Sequence, residues 1–264
     1  MIKILLILFL SLLSCASKIS LSPQCNFPDS VIEKGGLIKE TFKFSEKEKN
    51  IFKKNISCYE GAVKKIITPI SFFSDDLIYA KDGIQLNNRI FRESKIIIKE
   101  KKFNNISNKD LERIKTESKI YKQKILSKFY SENISFPLHL PAEGVVSSEY
   151  GVRRFINNIP RNPHLGLDIA AASGTPIYAA ESGLITLARN FFYKGNNILI
   201  DHGFDFKTSY SHLAKIVVNE GDLVKRGELI GFIGSTGRVT GPHLHFEVIF
   251  IGEKLNPEFF LTKD

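Results

Sequence analysis

The sequence predicts a mainly β fold: an antiparallel β-sandwich or barrel-like domain in the second half, preceded by a smaller β-rich domain with one long helix. Three observations support this prediction. Residues 1–134 hold 25 basic and 15 acidic side chains, a net charge of +10, whereas residues 135–264 hold 12 and 13, a net charge of −1. Only 4 of the 18 glycines lie before residue 135, and 14 lie after it. The second half also consists of short apolar runs between Gly turns, which is typical of β-strands.

The composition excludes several protein classes. The chain has 264 residues, 43% of them hydrophobic and 25% charged, which is close to the average of globular proteins. Wholesale disorder, a collagen-like fold and a membrane-spanning body are therefore excluded. Three cysteines are too few for a disulfide-built scaffold or a Cys-rich zinc module.

Residues 1–15 have the pattern of an export signal. Lys3 precedes an apolar run from Ile4 to Leu13, which as a helix would rise only about 15 Å, half the thickness of a bilayer's hydrocarbon core. The ending of this segment resembles the lipobox of bacterial lipoproteins, in which Cys15 would carry lipid and become the mature N-terminus. An ordinary cleavable signal is the alternative. We expect an exported protein of the periplasm or cell envelope, anchored to the membrane as a lipoprotein.

Residues 16–30 are interpreted as a linker and residues 31–134 as the basic N-terminal domain. Ala62–Phe73 and Lys95–Phe103 have strand-like composition. A helix is predicted over about 108–130, with Ser107 or Asn108 as its cap. Its apolar residues recur at three- and four-residue steps: Leu111, Ile114, Tyr121, Ile125 and Phe129.

Two features of this half allow alternative interpretations. Its Lys excess could bind anionic wall polymers or phospholipid head groups, or it could simply be a solvated surface. Nucleic acid is not expected as a partner, because an exported chain without an aromatic–basic recognition motif lacks the usual signature. In an oxidising compartment Cys25 and Cys58 could form a disulfide, or both could be free.

Residues 135–264 are predicted to form the second domain, with the join at Phe136–Pro141. Turn signals such as Glu220-Gly221-Asp222 separate its apolar runs. Six strands are predicted: Pro176–Ala180, Leu184–Ala188, Asn197–His202, Lys207–His212, Leu229–Ile233 and His243–Ile251.

Four of the six histidines lie in three short segments of this half. In an extended chain, His164, Gly166 and Asp168 share one face, and Gly166 leaves room for a group to approach. His243 and His245 share a face in the same way, with Leu244, Phe246 and Val248 on the core side. Two adjacent imidazoles are unfavourable as cations, which favours a shared metal or a hydrogen-bond network. His212 ends the strand between these segments. Each segment alone is a weak signal, because an isolated His-x-His is more often surface or structural histidine.

Together these segments resemble the lysostaphin/LytM-type zinc endopeptidases, which cut peptidoglycan cross-bridges. The resemblance covers about Leu140 to Pro257. The matching segments are Ser148–Arg153, His164–Asp168, Gly174–Pro176, Asp201–Gly203, Tyr210–Leu213 and Gly237–Phe246.

The resemblance implies specific roles. His164, Asp168 and His245 would bind one Zn²⁺ per chain, and His212 and His243 would flank the metal-bound water as catalytic residues. Two imidazoles and one carboxylate suit zinc and leave a fourth position for water, as catalytic sites require. The resemblance gives His202 no ligand role, so we interpret His202 as structural. Tyr210 could line the cleft or pack at a strand edge.

The implied function is zinc-dependent hydrolysis of amide bonds in peptidoglycan stem peptides or cross-links, by a monomer. The alternative is a catalytically inactive member of this type that binds and activates other cell wall hydrolases. Such proteins usually lack several of the five ligand and catalytic residues. In some exported relatives an N-terminal domain blocks the cleft, and whether this one does is left open.

Overall fold

The computed structural model describes residues 26–43, 54–60, 63–75, 79–80, 83–97, 106–129, 131 and 133–261. The predicted export signal, the lipid-bearing Cys15 and Cys25 lie outside the described residues. In the described part of the chain, no helix is both long and apolar enough to cross a membrane.

The first part of the chain forms a small antiparallel sheet. Its strands are β1 (Leu37–Lys43), β2 (Ile56–Glu60) and β3 (Val63–Pro69), in the order β1-β3-β2. β3 confirms the core of the strand predicted at Ala62–Phe73. The run predicted at Lys95–Phe103 is β4 (Glu93–Ile96) at its start, and residues 98–105 lie outside the described part.

A second, three-stranded sheet joins the two halves of the chain. β4 pairs in parallel with β6 (Arg153–Ile156), which pairs with β7 (Ile159–Pro160). The order β4-β6-β7 places a strand from the basic half directly beside a strand from the second half.

A ten-stranded sheet dominates the second half and confirms the mainly β fold class. Its main path runs β13-β10-β11-β12-β15-β8-β5, with β14 pairing β12 and β9, and β16 pairing β15. Its strands are β5 (Val145–Ser148), β8 (Leu167–Ala170), β9 (Pro176–Tyr178), β10 (Gly183–Phe191), β11 (Gly195–Asp201), β12 (Phe206–Ile216), β13 (Leu223–Val224), β14 (Leu229–Ile233), β15 (His243–Phe250) and β16 (Glu253–Leu255). A 3-10 turn, Pro257–Phe259, follows.

All six predicted strands of this half are present; Leu229–Ile233 has the predicted bounds, and the other five have shifted ends. The prediction did not include β5, β6, β7, β8, β13 and β16, which have two to four residues each. Such short strands carry too few alternating residues for a periodic signal, and the strands with which they pair are set by the tertiary fold.

Alternation along the strands gives the large sheet two apolar faces. Val248 and Phe250 belong to the main core, whereas Ile249 between them points to the opposite face. On that outer face Leu187, Phe191, Leu199 and Ile249 pack against the long helix. Both apolar faces of the sheet must therefore be shielded from solvent, and the helix shields one of them.

That helix is α1 (Asn108–Leu126), four residues shorter than predicted. Ser107 caps it, with its Oγ accepting a hydrogen bond from the Asp110 N–H at 3.1 Å. Ser127 turns extended (ψ 154°), so Phe129 lies beyond the helix end. The predicted apolar stripe holds only in part, because Leu111 is 42% exposed.

The main core extends across the predicted boundary at residues 134 and 135. Phe27 from the first part is 3% exposed, and its ring contacts Phe136, Phe206 and Phe250 at centroid distances of 5.0–6.0 Å. Cys58 is buried in the same core and is disulfide-bonded, while the other two cysteines of the chain lie outside the described residues. The division into domains at 134/135 stays a prediction.

Candidate metal centre

Neighbouring strands bring the predicted ligands together. β15 lies between β12 and β8 in the sheet. Its His245 stands opposite Asp168 of β8 on one side and Ser211 of β12 on the other. Because directly opposed residues on adjacent strands share a face, these three loci meet although they are far apart in sequence.

Three ligand-type atoms form a tight triangle. The Oδ1 atom of Asp168 lies 2.9 Å from Nε2 of His164 and 2.7 Å from Nδ1 of His245, and these two nitrogens are 2.9 Å apart. All three residues are largely withdrawn from solvent. Among the described residues, these three side chains form the group of His, Cys, Asp or Glu whose ligand atoms lie close enough together to hold a metal ion.

The neighbours of the two imidazoles determine which ring nitrogens carry protons. Nδ1 of His164 lies 2.8 Å from the carbonyl oxygen of Glu149, and Nε2 of His245 lies 3.2 Å from a carboxylate oxygen of Glu247. Both oxygens can only accept, so these nitrogens are the donors. The other ring nitrogens face Asp168, so three ligand-type atoms converge in an arrangement that could hold a metal ion.

Gly166 makes the close approach of His245 possible. A Cβ atom at this position would come within 2.6 Å of the His245 ring and 2.7 Å of the Phe246 carbonyl oxygen. The room that the sequence analysis expected at this glycine is thus filled by the imidazole of His245.

Burial and mutual repulsion keep the cluster in the protonation state that metal binding needs. The pKa of His164 is lowered to about 4, mainly by burial; the contact with Asp168 opposes this shift and the neighbouring His245 adds to it. Burial alone would raise the pKa of Asp168, but the close electrostatic contacts with His164 and His245 hold it well below its usual range. Near neutral pH the group is a neutral imidazole beside an ionised carboxylate.

His212 and His243 lie next to the triangle. The rings of His212 and His243 are 4.9 Å apart, and that of His212 is 6.0 Å from His245. Nε2 of His243 is 3.9 Å from Oδ1 of Asp168. All five residues predicted from the sequence therefore lie in one cluster.

Backbone carbonyls also orient these two rings. Nδ1 of His212 lies 2.9 Å from the Thr236 carbonyl, and Nδ1 of His243 lies 2.9 Å from the Gly241 carbonyl. Each Nδ1 is therefore the donor to its carbonyl, and Nε2 is the nitrogen left to contact other groups. Burial and then repulsion from His245 and His243 lower the pKa of His212 well below its usual value.

His212 also has a strained backbone, with φ at +71°. This left-handed conformation is uncommon for a residue with a side chain and is often found at functional sites. The His212 N–H donates a hydrogen bond to the Lys194 carbonyl at 2.9 Å, which holds this conformation. His212 lies where the pairing of β12 with β11 becomes irregular, and its imidazole is turned toward the cluster.

Glu247 is a residue of the centre to which the sequence analysis assigned no role. Besides His245, it contacts Lys194 (2.7 Å), Lys254 and the Tyr121 hydroxyl (2.9 Å). Burial would raise its pKa, but the two lysines and His245 hold it well below the usual range. The period-two alternation that placed His243 and His245 on one face also places Glu247 there, so a sequence signal existed.

Arg154 is a second missed residue. Its Nη2 atom donates to Oδ2 of Asp168 at 2.6 Å, which leaves Oδ1 facing the histidines. Arg154 lies on β6, outside the large sheet, and only the tertiary fold brings it to Asp168. No spacing in the sequence indicates this contact.

Two other residues that the sequence analysis considered have structural roles. Tyr210 is fully buried and its hydroxyl accepts a hydrogen bond from the Ala180 N–H at 2.8 Å, so it packs in the core and does not line the cleft. His202 is fully buried between the Ser182 carbonyl (2.9 Å) and the Thr208 hydroxyl (2.7 Å).

Sequence comparison gives the same region a family match. The model of peptidase family M23 matches residues 162–257, which hold all five clustered residues. The peptidoglycan DD-endopeptidase ShyA of Vibrio cholerae is 46% identical over 112 residues, covering 42% of this chain and 26% of that protein. An uncharacterized metalloprotease of Buchnera aphidicola is 41% identical over 120 residues, covering 45% of this chain and 32% of that protein. The matched segment thus spans no more than a third of these two relatives.

Structural comparison extends the similarity to the N-terminal part. A crystal structure described as a peptidase M23 from Pseudomonas aeruginosa superposes with a TM-score of 0.63 and 24% sequence identity. It covers 87% of this chain and 95% of that one. At this identity the match supports a shared fold, which includes most of the region before residue 135.

Proposed function

Because residues 162–257 form a domain of peptidase family M23, we propose that this chain is a zinc-dependent endopeptidase that hydrolyses amide bonds in peptidoglycan stem peptides or cross-links. The convergence of the His164, Asp168 and His245 ligand atoms within 2.9 Å of one another is the observation that carries the proposal. His212 and His243 complete the group.

The chemistry of the three donors fits zinc. Two neutral imidazoles and a carboxylate are the ligand set of many catalytic zinc sites, which keep a further position for solvent. Each ligand is oriented by a second contact: His164 by Glu149, Asp168 by Arg154 and His245 by Glu247. When bound, zinc would supply Lewis-acid activation of water and of the scissile carbonyl.

His212 and His243 would move the protons. The Nδ1 atom of each ring is fixed on a backbone carbonyl, which leaves Nε2 as the atom that would accept a proton without reorientation of the ring. One of them would take the proton of the attacking water and deliver it to the leaving amine. The other, with a proton taken up from solvent at Nε2 before the reaction, would donate a hydrogen bond to the negative charge that develops on the carbonyl oxygen.

The substrate and location follow from the relatives and the N-terminus. ShyA is named a peptidoglycan DD-endopeptidase, which favours peptidoglycan as the substrate here. Peptidoglycan lies outside the cytoplasmic membrane, in agreement with the export signal expected at residues 1–15. We include in the proposal an envelope location with lipid on Cys15.

Digestion of purified sacculi tests the function directly. The zinc-loaded full-length chain should release soluble fragments, and mass spectrometry of these fragments identifies the bond that is cut. Release that requires zinc and is lost in the His245→Ala variant supports a zinc endopeptidase. A zinc-loaded chain that binds sacculi without releasing fragments would instead be a regulator that activates other hydrolases.

A further inference from the structure

A cavity of about 380 Å³ lies where the basic first part of the chain meets β6. Five cationic residues line it: Lys34, Arg89, Arg153, Arg154 and Arg161. None of the described residues that line it is acidic. The volume suits one small ligand or one side chain of a larger one.

Only some of these cations are neutralised by the protein. Arg89 pairs with Glu33 at 3.1 Å, and Arg154 pairs with Asp168. For Arg153 and Arg161, no residue in the described ranges provides a hydrogen bond or an ion pair to the guanidinium group. Two guanidinium groups are therefore available to a ligand.

A further arginine adds to the positive potential. Burial is the main cause that lowers the pKa of Arg238, and repulsion from Arg161 and Arg154 contributes. Arg238 stacks on the Tyr193 ring at 4.4 Å, which holds it close to these cations. Several guanidinium groups gathered at one place attract an anion strongly, and the planar fork of Arg matches a carboxylate in bidentate geometry.

The cavity is connected to the candidate metal centre. Arg154 lines the cavity and donates to Asp168, and its own Nε is buried with no hydrogen-bond partner. Pro163, another lining residue, directly precedes His164. A ligand in the cavity therefore lies one side chain away from two of the proposed zinc ligands.

We propose that this cavity binds a free carboxylate of the peptide whose amide bond the metal centre cuts. The proposal rests on the proposed function and specifies its substrate as an acidic peptide. Phe91 and Phe155 supply apolar walls for the aliphatic part of a carboxylate-bearing side chain. Lys34, Phe72, Arg89 and Phe91 then contribute to substrate binding, because they line the cavity from the first part of the chain.

Equilibrium binding of two matched peptides tests the proposal independently of cleavage. The probes are the fluorescein-labelled tetrapeptide L-Ala-D-isoglutamyl-meso-diaminopimelyl-D-Ala and the same peptide with amidated carboxyl groups, titrated with the zinc-loaded full-length chain. The free acid should bind about tenfold more tightly. In the Arg153→Gln/Arg161→Gln variant this preference should disappear.

A matched double variant controls for total charge. Lys215 and Lys225 are exposed and do not line the cavity. Lys215→Gln/Lys225→Gln removes the same charge and should keep the preference for the free acid. In cleavage assays, the arginine variant should raise KM about tenfold with little change in kcat, and its zinc content should equal that of the wild type.

Several outcomes would overturn the proposal: equal affinity of the wild type for both peptides, or an unchanged preference in the arginine variant. The same holds if inorganic phosphate or phosphatidylglycerol vesicles bind through Arg153 and Arg161 while amidation has no effect, because the cavity would then be a phosphate or lipid site. Absence of fragment release from sacculi would refute the proposed function alone, since the peptide preference is measured without cleavage.

Discussion

The imidazoles of the candidate centre receive their orientation from oxygens that can only accept hydrogen bonds. Three of these are backbone carbonyls, of Glu149, Thr236 and Gly241, and the fourth is the Glu247 carboxylate. The site is therefore prepared for a cation before the cation arrives, which reduces the cost of organising the ligands. Ligand and proton-transfer roles should separate cleanly in variants.

His245→Ala should abolish both zinc binding and cleavage, because it removes a donor of the triangle. His212→Ala should keep most of the zinc, since His212 is not one of the three proposed ligands and its ring centroid lies 6.0 Å from that of His245. Cleavage by this variant should fall about a thousandfold. Metal analysis of the purified variants, together with fragment release, checks this. A zinc-free His212→Ala variant would contradict the division of roles.

His202 gives the chain a predictable response to acid. Burial lowers its pKa to about 4, below the value near 6.5 of an unfolded chain. As the pH falls from 6.5 to 4, His202 therefore binds a proton in the unfolded state but stays neutral in the folded state. The stabilising contribution is complete above pH 6.5 and is lost across this window, by about 3 kcal/mol.

Denaturant unfolding at pH 7.5 and pH 4.5, with EDTA present, measures this effect. The free energy of unfolding should fall more in the wild type than in His202→Gln, by about 2–3 kcal/mol. All other groups titrate in both proteins and cancel. An equal loss in both would show that His202 is protonated in the folded state.

At the scale of elements, helix α1 supports the candidate metal centre. Its Tyr121 hydroxyl lies 2.9 Å from Glu247 and 3.0 Å from Ser209, and burial together with Glu247 raises the pKa of Tyr121 so that it remains a donor. Glu247 in turn holds Nε2 of His245. Groups that orient metal ligands influence affinity, although less with each intervening contact.

Tyr121→Phe should weaken zinc binding about threefold, because Glu247 loses a hydrogen bond and holds His245 less firmly. Competition with a chromophoric chelator measures the zinc dissociation constant. Tyr178→Phe makes the same chemical change away from Glu247 and should leave the constant unaltered. Identical constants for Tyr121→Phe and the wild type would show that the helix only covers the sheet.

The elements differ in how far the sequence predicts them. His243–Phe250 was predictable because its alternation is complete and its core side chains Leu244, Phe246 and Val248 are fully buried. The cap at Ser107 was predictable from local chemistry, while the end of α1 was not, because the following residues continue the apolar spacing. Arg154 and the Tyr121–Glu247 contact depend on tertiary packing, which no local pattern encodes.

At the scale of the whole molecule, composition and packing divide the chain differently. The charge and the glycine content change at residue 135, yet Phe27 and Leu37 share a core with Phe206 and Phe250. Surface composition reflects solvent exposure, whereas cooperativity depends on the apolar contacts that must break together. We therefore expect the two parts to unfold as one unit.

Thermal unfolding should show a single transition. Phe27→Ala should lower the free energy of unfolding by about 3 kcal/mol, and the unfolding of this variant should still be a single transition. Phe27 belongs to the first part, is 3% exposed and contacts rings of the second part, so its loss leaves a cavity between the two parts. Phe73→Ala, at a side chain that is 66% exposed, should change stability by less than about 0.5 kcal/mol. Two separate transitions would refute a shared core.

The parallel pairing of β4 with β6 affects how the protein can be shortened in the laboratory. The Arg153 N–H bonds to the Arg92 carbonyl at 2.8 Å, and the Asn157 N–H bonds to the Ile96 carbonyl at 2.9 Å. A recombinant fragment that begins near residue 136 would leave these amides unsatisfied along an open strand edge, and such edges recruit other chains into aggregates. Poor solubility of that fragment would then result from the exposed edge, and its activity would not report whether the missing part inhibits the enzyme.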